Sequence, residues 1–343
     1  MTFHETPFRS TKPVEASEFV DRDHELSVIQ KCLLFQGNNV NLFGAPGIGK
    51  SSVLRKLQAD IATHYKDVLV VHLYLMSFVK SSGTDLARFF LLSVADEMWS
   101  RLFKKSYSEL LEYLSKPDPA SALFNQSMRS FLRIYRLLRS GTISSNIEES
   151  SELKGQLLLG AKTGEKYSTQ FRIENLFQFE FARLLSELVL ILEEHNMRRI
   201  VILADEANYL HEDEGKDLLG RNFDILLDPR IRYVFVTLEA SKVGLYEADK
   251  IFQYQIPLGP FPDIGILHTL INAYCASFVR MGKEPLQFSE ASKNTIWELS
   301  KGHPKIIQRA CELSWISAAE TKSRTIDEQN VLSVLSQIEA MPN

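Results

Sequence analysis

The chain has 343 residues, enough for roughly two domains on the usual length prior. Its 45% hydrophobic and 24% charged residues are ordinary for a soluble globular protein, and a net charge of −4 excludes a general polyanion binder while leaving room for a local basic face. Cys32, Cys275 and Cys311 are far apart and set in apolar helical patterns, which excludes a disulfide framework or a cysteine zinc site and suits a reducing, cytoplasmic compartment.

Residues 1–17, with Pro7 and Pro13, read as an extended leader, and their polar composition gives no expectation of a secretory signal. Leu26, Ile29, Leu33 and Leu34 share one face of a helix predicted over about 23–35. "NNVNLF" reads as a short buried strand that runs straight into "GAPGIGKSS". Here Gly44, Gly49, Lys50 and Ser51 fit G-x-x-x-x-G-K-[ST], and Gly47 adds a further glycine. Such a loop turns backbone N–H groups inward around phosphate oxygens, in conformations that glycine tolerates. Gly44, Ala45, Pro46, Gly47, Ile48, Gly49, Lys50, Ser51 and Ser52 are therefore the expected nucleotide cradle. Lys50 is expected to reach the β and γ phosphates, and Ser51 to ligate Mg²⁺. Val53, Leu54, Leu57 and Ile61 continue as a helix whose N-terminus faces the anion.

"DVLVVHLYL", 67–75, is a continuous apolar run of the kind buried on both faces of a parallel sheet, with His72 as a core histidine. Residues 84–139 are helical in pattern, broken near "SKPDPAS". The Ser-, Thr- and Gly-rich stretch that follows, around "QLLLGA", reads as an irregular or hairpin segment. A long helix is predicted over about 170–195; its apolar part is interrupted by Glu187 and too short to span a bilayer, so no membrane is expected.

In "RRIVILADEANYL", the apolar residues Ile200 to Leu203 deliver Asp205 and Glu206 to the carboxyl end of a strand, where open α/β sheets bind ligands. Asp205 is the second expected Mg²⁺ ligand, and Glu206 the candidate to polarise the attacking water, which favours hydrolysis of a nucleoside triphosphate over transfer to a metabolite. "IRYVFVTLEAS" and "IFQYQIPL" are further strands. After "GPFPD" the pattern is helical to the end, with breaks at "GKEPLQ", "SKGHPK" and "SRTID". The expected fold is α/β, a P-loop NTPase with a parallel β-sheet flanked by helices and a C-terminal all-α lid. The expected divisions are a leader over 1–17, a core over 18–260 with a helical and irregular insertion at about 84–170, and a lid over 261–343.

On these two segments the chain resembles the AAA+ and STAND-type P-loop ATPases, whose Walker A and Walker B motifs they match. "EFVDRDHEL" is similar to that family's F-V-G-R-x-x-E-L box, which implies that Phe19, Val20 and Arg22 border the adenine of ATP. Asp21 stands where the family has glycine, which puts the local turn in question. The resemblance also implies a polar sensor at Thr237, unless that threonine merely suits its strand. "KGHPKIIQ" matches a lid turn, with Pro304 at its head and Lys305 roughly where relatives carry a sensor arginine, or else only an exposed lysine at a helix start. An arginine finger has no evident match: "YEADKIFQYQI" offers Lys250, and Arg221, Arg230 and Arg232 are nearby alternatives. Lysine lacks the bidentate fork, so a slow ATPase is expected.

Within the insertion, Arg129, Arg133, Arg136 and Arg139 fall on one helical stripe, either a solvated face or a docking strip for phosphate backbone or an acidic partner. Lys104 and Lys105 extend that patch. The function expected from sequence is an ATP-driven switch, forming nucleotide-dependent homo-oligomers or acting on a partner protein in trans. A DNA-associated ATPase is the alternative, and a binder of ATP or ADP that does not hydrolyse is the third class.

Overall fold

The structure, a computed structural model, describes residues 6–8, 10, 14, 18–75, 86–115, 125–140, 174–208, 227–238 and 252–339. The Ser- and Gly-rich stretch around "QLLLGA", Arg221 and Lys250 lie outside these residues.

Its centre is a sheet of β1 (Val40–Phe43), β2 (Val68–Tyr74), β3 (Arg199–Asp205), β4 (Ile231–Thr237) and β5 (Tyr254–Pro257), paired in the order β2-β3-β4-β1-β5 with parallel neighbours throughout. The apolar runs split by alternation, as the pleat requires. Val40, Leu42, Val70, Leu203 and Val236 face α1 (Asp23–Lys31) and α2 (Lys50–His64). Leu69, Val71, Ile202, Tyr233 and Phe235 face the opposite way, where α3 (Leu86–Met98), α5 (Gln126–Ser140) and α6 (Glu174–Glu194) cover them, with α4 (Tyr107–Ser115) alongside. The helices before the Ser- and Gly-rich stretch are thus one wall of the sheet's own core. The helix predicted over 23–35 changes its winding at Cys32, where Cys32–Gln36 is π-helical and ends on Gly37.

A second core gathers the C-terminal helices α7 (Ile264–Arg280), α8 (Glu290–Ser300), α9 (Pro304–Glu320), α10 (Glu328–Ser333) and α11 (Leu335–Glu339). The breaks expected at "GKEPLQ" and "SRTID" are more than turns: Gln287–Phe288 (β6) and Thr325–Ile326 (β7) pair in parallel. Two residues are too few to show a strand's alternation in sequence. The leader reaches this core as well. Phe8 is 1% exposed, stacks on Tyr274 at 5.0 Å and meets Phe288 and Trp315 edge-on at 5.7 and 6.0 Å.

Among the described residues no helix is long and apolar enough to cross a membrane. Replacing Phe8 by alanine removes an aromatic ring from a closed core and is expected to cost about 3–5 kcal/mol. Urea unfolding followed by tryptophan fluorescence measures it; an unchanged midpoint would show that the leader does not hold the lid.

Candidate functional site

Parallel strands bring the ends of β1 and β3 to the same sheet edge, with β4 between them, and the two expected motifs meet there. Gly47 and Gly49 adopt φ of +75° and +101°, left-handed values that admit glycine and resist other residues. Gly49 stands at the N-cap of α2, and no side chain caps that helix. By contrast Asp263 caps α7, Ser289 caps α8, and Asp327 with Asn330 forms a capping box on α10. The first turn of α2 therefore keeps its N–H groups and its positive dipole end for an anion.

A cavity of about 480 Å³ opens over this turn. Pro46, Gly47, Ile48, Gly49, Lys50, Ser51, Ser52 and Glu206 line it on the sheet side, Phe19, Val20 and Arg22 at the box, and Pro304 and Lys305 from the lid. Gly44 and Ala45 sit behind the loop, where their carbonyls accept the Lys50 ammonium at 2.7 and 2.9 Å. Ser52 lines the cavity, but its hydroxyl also accepts the Val14 N–H at 3.1 Å.

Charges concentrate where the motifs meet. Asp205 is 1% exposed, and its Oδ1 accepts the Glu206 N–H at 3.0 Å. That bond holds Glu206 at φ +57°, an uncommon turn for a residue with a side chain. Burial pushes the Glu206 carboxyl above its usual range, Asp205 pushes it further, and Lys50 pulls it back. Burial equally lowers the Lys50 ammonium, against the opposing pull of Glu206 and Asp205. The three groups thus feel one another inside one desolvated space.

Thr237 ends β4 at this same edge. It is 1% exposed, its hydroxyl donates to Asn41 Oδ1 at 3.0 Å, and Asn41 Nδ2 donates to Gln255 Oε1 at 2.8 Å. This polar link crosses β4, β1 and β5, while the next residue, Leu238, lines the cavity. The turn questioned at Asp21 does form: Asp21 and Arg22 both take left-handed values, φ +62° and +72°. Two such residues cost about 1–2 kcal/mol each. Arg22 offsets this, because its guanidinium donates to the Gly259 carbonyl and to Glu25 and lies 5.0 Å over the Phe261 ring. Arg22 is therefore a brace between the box and the start of the lid.

The lid rests directly on the loop. A Cβ placed on Gly47 would come within 2.6 Å of Lys305 Cδ and 3.1 Å of His303 Cε1. The His303 ring nitrogen Nε2 lies 3.1 Å from the Pro46 carbonyl, and burial holds that imidazole below its usual range. Sequence reasoning did not single out His303, Phe261, Leu270, Gln308 or the leader residues Ser10 and Val14, although all but His303 line the cavity. They come from separate elements, and no local spacing groups them.

The arginine stripe is only partly open. Arg129, Arg133 and Arg139 are exposed on α5 and Arg136 is half-buried, and Arg133 pairs with Glu187 at 3.4 Å. Arg136 donates to the Tyr113 carbonyl at 3.0 Å, and Arg139 donates to the Tyr107 hydroxyl. Two of the finger alternatives stand at the opposite end of β4 from the cavity. Arg230 pairs with Asp228 at 2.7 Å, and Arg232 is buried and donates to the Asp228 and Ile231 carbonyls.

No family model matches the chain, and no curated protein matches its sequence. Solved structures do match. One is a Walker-type ATPase of Pyrococcus abyssi, with a TM-score of 0.54 and 14% identity over 97% of this chain and 76% of that one. The ORC2 protein of Aeropyrum pernix, in ADPNP–ADP complexes, gives 0.53 and 12% over 98% and 72%. The ORC1 protein of the same organism, in complex with DNA, gives 0.51 and 15% over 96% and 67%. The fold is that of the AAA+ P-loop ATPases. The sheet and the C-terminal helices are the two bodies of that fold, and the cavity lies between them.

The raised Glu206 carboxyl yields a stability test. At pH 7 the folded state carries the cost of a buried carboxylate, a cost that vanishes as pH falls through the folded-state pKa and the group is neutralised. Glu206→Gln without nucleotide is expected to melt higher than the parent at pH 7, and the gain should fade toward pH 4. Thermal melts across that range check it, and a lower melting point at pH 7 would refute it.

Proposed function

We propose that the chain is an ATP-binding and ATP-hydrolysing AAA+ switch of the STAND type, whose nucleotide sets the lid's angle and thereby signals to a partner protein. The observation that supports this most is that one cavity is walled by the loop, by Glu206 and by lid residues Pro304 and Lys305 together. A nucleotide there touches both bodies, so a difference in how ATP and ADP bind the closed form becomes a difference in lid population.

In this reading Lys50 leaves the carbonyls of Gly44 and Ala45 for the β and γ phosphates, and the uncapped first turn of α2 supplies N–H groups to the same oxygens. Asp205 and Ser51 suit Mg²⁺: both are hard oxygen donors, and the repulsion between Asp205 and Glu206 is the kind a divalent cation relieves. Bound Mg²⁺ would neutralise charge on the phosphates. Glu206, made more basic by burial, takes a proton from the attacking water. Lys305 and His303 close the loop from above. Thr237 acts through Asn41, holding the strand ends in register rather than touching phosphate.

Hydrolysis should be slow. Arg230 and Arg232 are committed at the far end of their strand, and a finger is worth about 10³–10⁵ in rate. Lys50→Ala is expected to weaken ATP binding by about 10- to 100-fold. Glu206→Gln should keep ATP bound and lower turnover by about 10²–10⁴. Calorimetric titration and phosphate release measure both; turnover faster than about one per second by the pure protein would refute the slow switch.

A DNA-associated ATPase is the second reading. It is favoured by the likeness to ORC1, solved in complex with DNA, and by the exposed Arg129 and Arg133. Mass measurement with ATP, ADP or neither, each with and without duplex DNA, separates the readings and also detects a nucleotide-dependent homo-oligomer. Duplex binding that weakens with salt and with Arg129→Ala and Arg133→Ala would favour DNA.

A further inference from the structure

The wall of the cavity on the lid side contains one carboxamide. Gln308 stands one helical turn beyond Pro304 and Lys305 on α9, so it lies deeper into the lid than the residues that press on the phosphate loop. It is 6% exposed, and it lines the cavity beside apolar Leu270, Phe261, Val20 and Val14. A planar, apolar-faced ligand with a polar edge fits such a wall. Two polar neighbours are already engaged: the Ser10 hydroxyl donates to Glu312, and the Arg22 guanidinium donates to Gly259 and Glu25.

The carboxamide is also oriented. Gln308 Nε2 donates to the Tyr274 hydroxyl at 3.0 Å, and the Tyr274 ring is in turn stacked on Phe8 at 5.0 Å. With one N–H committed, the amide has its acceptor Oε1 and a second N–H left for a ligand.

We propose that Gln308 reads the 6-position of a purine, so that the site takes adenine nucleotides and rejects 6-oxo purines. The proposal rests on the reading of this cavity as a nucleoside triphosphate site and goes beyond it by assigning base selection to one side chain and its orienter. The Oε1 acceptor meets the 6-amino group of adenine while the remaining N–H meets N1, the ring acceptor beside it. A 6-oxo purine sets a carbonyl against Oε1 and a ring N–H against the amide N–H. Reversing the amide would relieve both clashes, but only if the Tyr274 hydroxyl also turns, from accepting the Nε2 proton to donating its own to Oε1. Gln308 is the specificity group, and Tyr274 is a positioning residue that acts through it.

The test is calorimetric titration of the full chain with Mg-ATP and Mg-ITP, which share a sugar and triphosphate and differ at the 6-position edge. The parent chain is expected to bind ATP about tenfold more tightly than ITP. Gln308→Leu should bring ATP down to the ITP affinity and leave ITP within about twofold, because the phosphate contacts are untouched. Tyr274→Phe keeps the ring on Phe8 and frees the amide to turn, so ITP affinity should rise while ATP affinity holds. A structural defect in the lid would weaken both nucleotides together instead.

Equal affinity of the parent for ATP and ITP, with both abolished by Lys50→Ala, would overturn the base reading and leave the nucleotide site standing. A preference for ATP that survives in Gln308→Leu would likewise overturn it. Failure of the parent to bind either nucleotide would remove the site and the proposal together.

Discussion

Gly47 has no side chain, and the lid fills the space where one would lie. That close approach, Lys305 and His303 against a bare loop, is what the rest of the molecule depends on. It joins two bodies with separate hydrophobic cores, one built on the sheet and one on the C-terminal helices. The contact is partly polar, with His303 Nε2 at 3.1 Å from the Pro46 carbonyl, whereas the cores on either side are apolar. A ligand placed at this seam is in position to bias it.

The sheet side of the site is arranged around a second constraint, a buried excess of negative charge. Asp205 and Glu206 follow one another at a strand end, and the Lys50 ammonium is the charge that opposes them among the described residues. A protein selected for stability alone would not keep two carboxylates there. The left-handed backbone at Glu206 adds to the cost. Strain and charge coincide at a place where chemistry explains both, a coincidence that neither feature would justify by itself.

How much of this could be seen in the sequence depended on distance along the chain. The loop at 44–51 and the strand ending at Asp205 were legible because their spacing is itself the chemistry, and five apolar runs separated by helices were enough for a parallel sheet. Other features rest on contacts between remote residues. Thr237 could be read as a polar residue at a strand end, but its partner Asn41 belongs to a strand far away in sequence. The arginine period on α5 was real, yet nothing local showed that the Tyr113 carbonyl and the Tyr107 hydroxyl would occupy two of the four. The lid side of the cavity was the least visible, since Phe261, Leu270 and Gln308 come from different turns and helices. Aspartate in place of glycine at the box turn is tolerable because the neighbouring Arg22 recovers the cost in a contact 237 residues distant.

Phe8 has no period to mark it in sequence, yet it has a mechanical effect. Its ring is sunk in the lid, while six residues later the Val14 amide is fastened to Ser52 on the first helix after the loop. Six residues reach at most about 20 Å when taut. The leader is therefore a leash across the seam: any wider parting of the two halves breaks the bond from Val14 to Ser52 or pulls an aromatic anchor out of its socket.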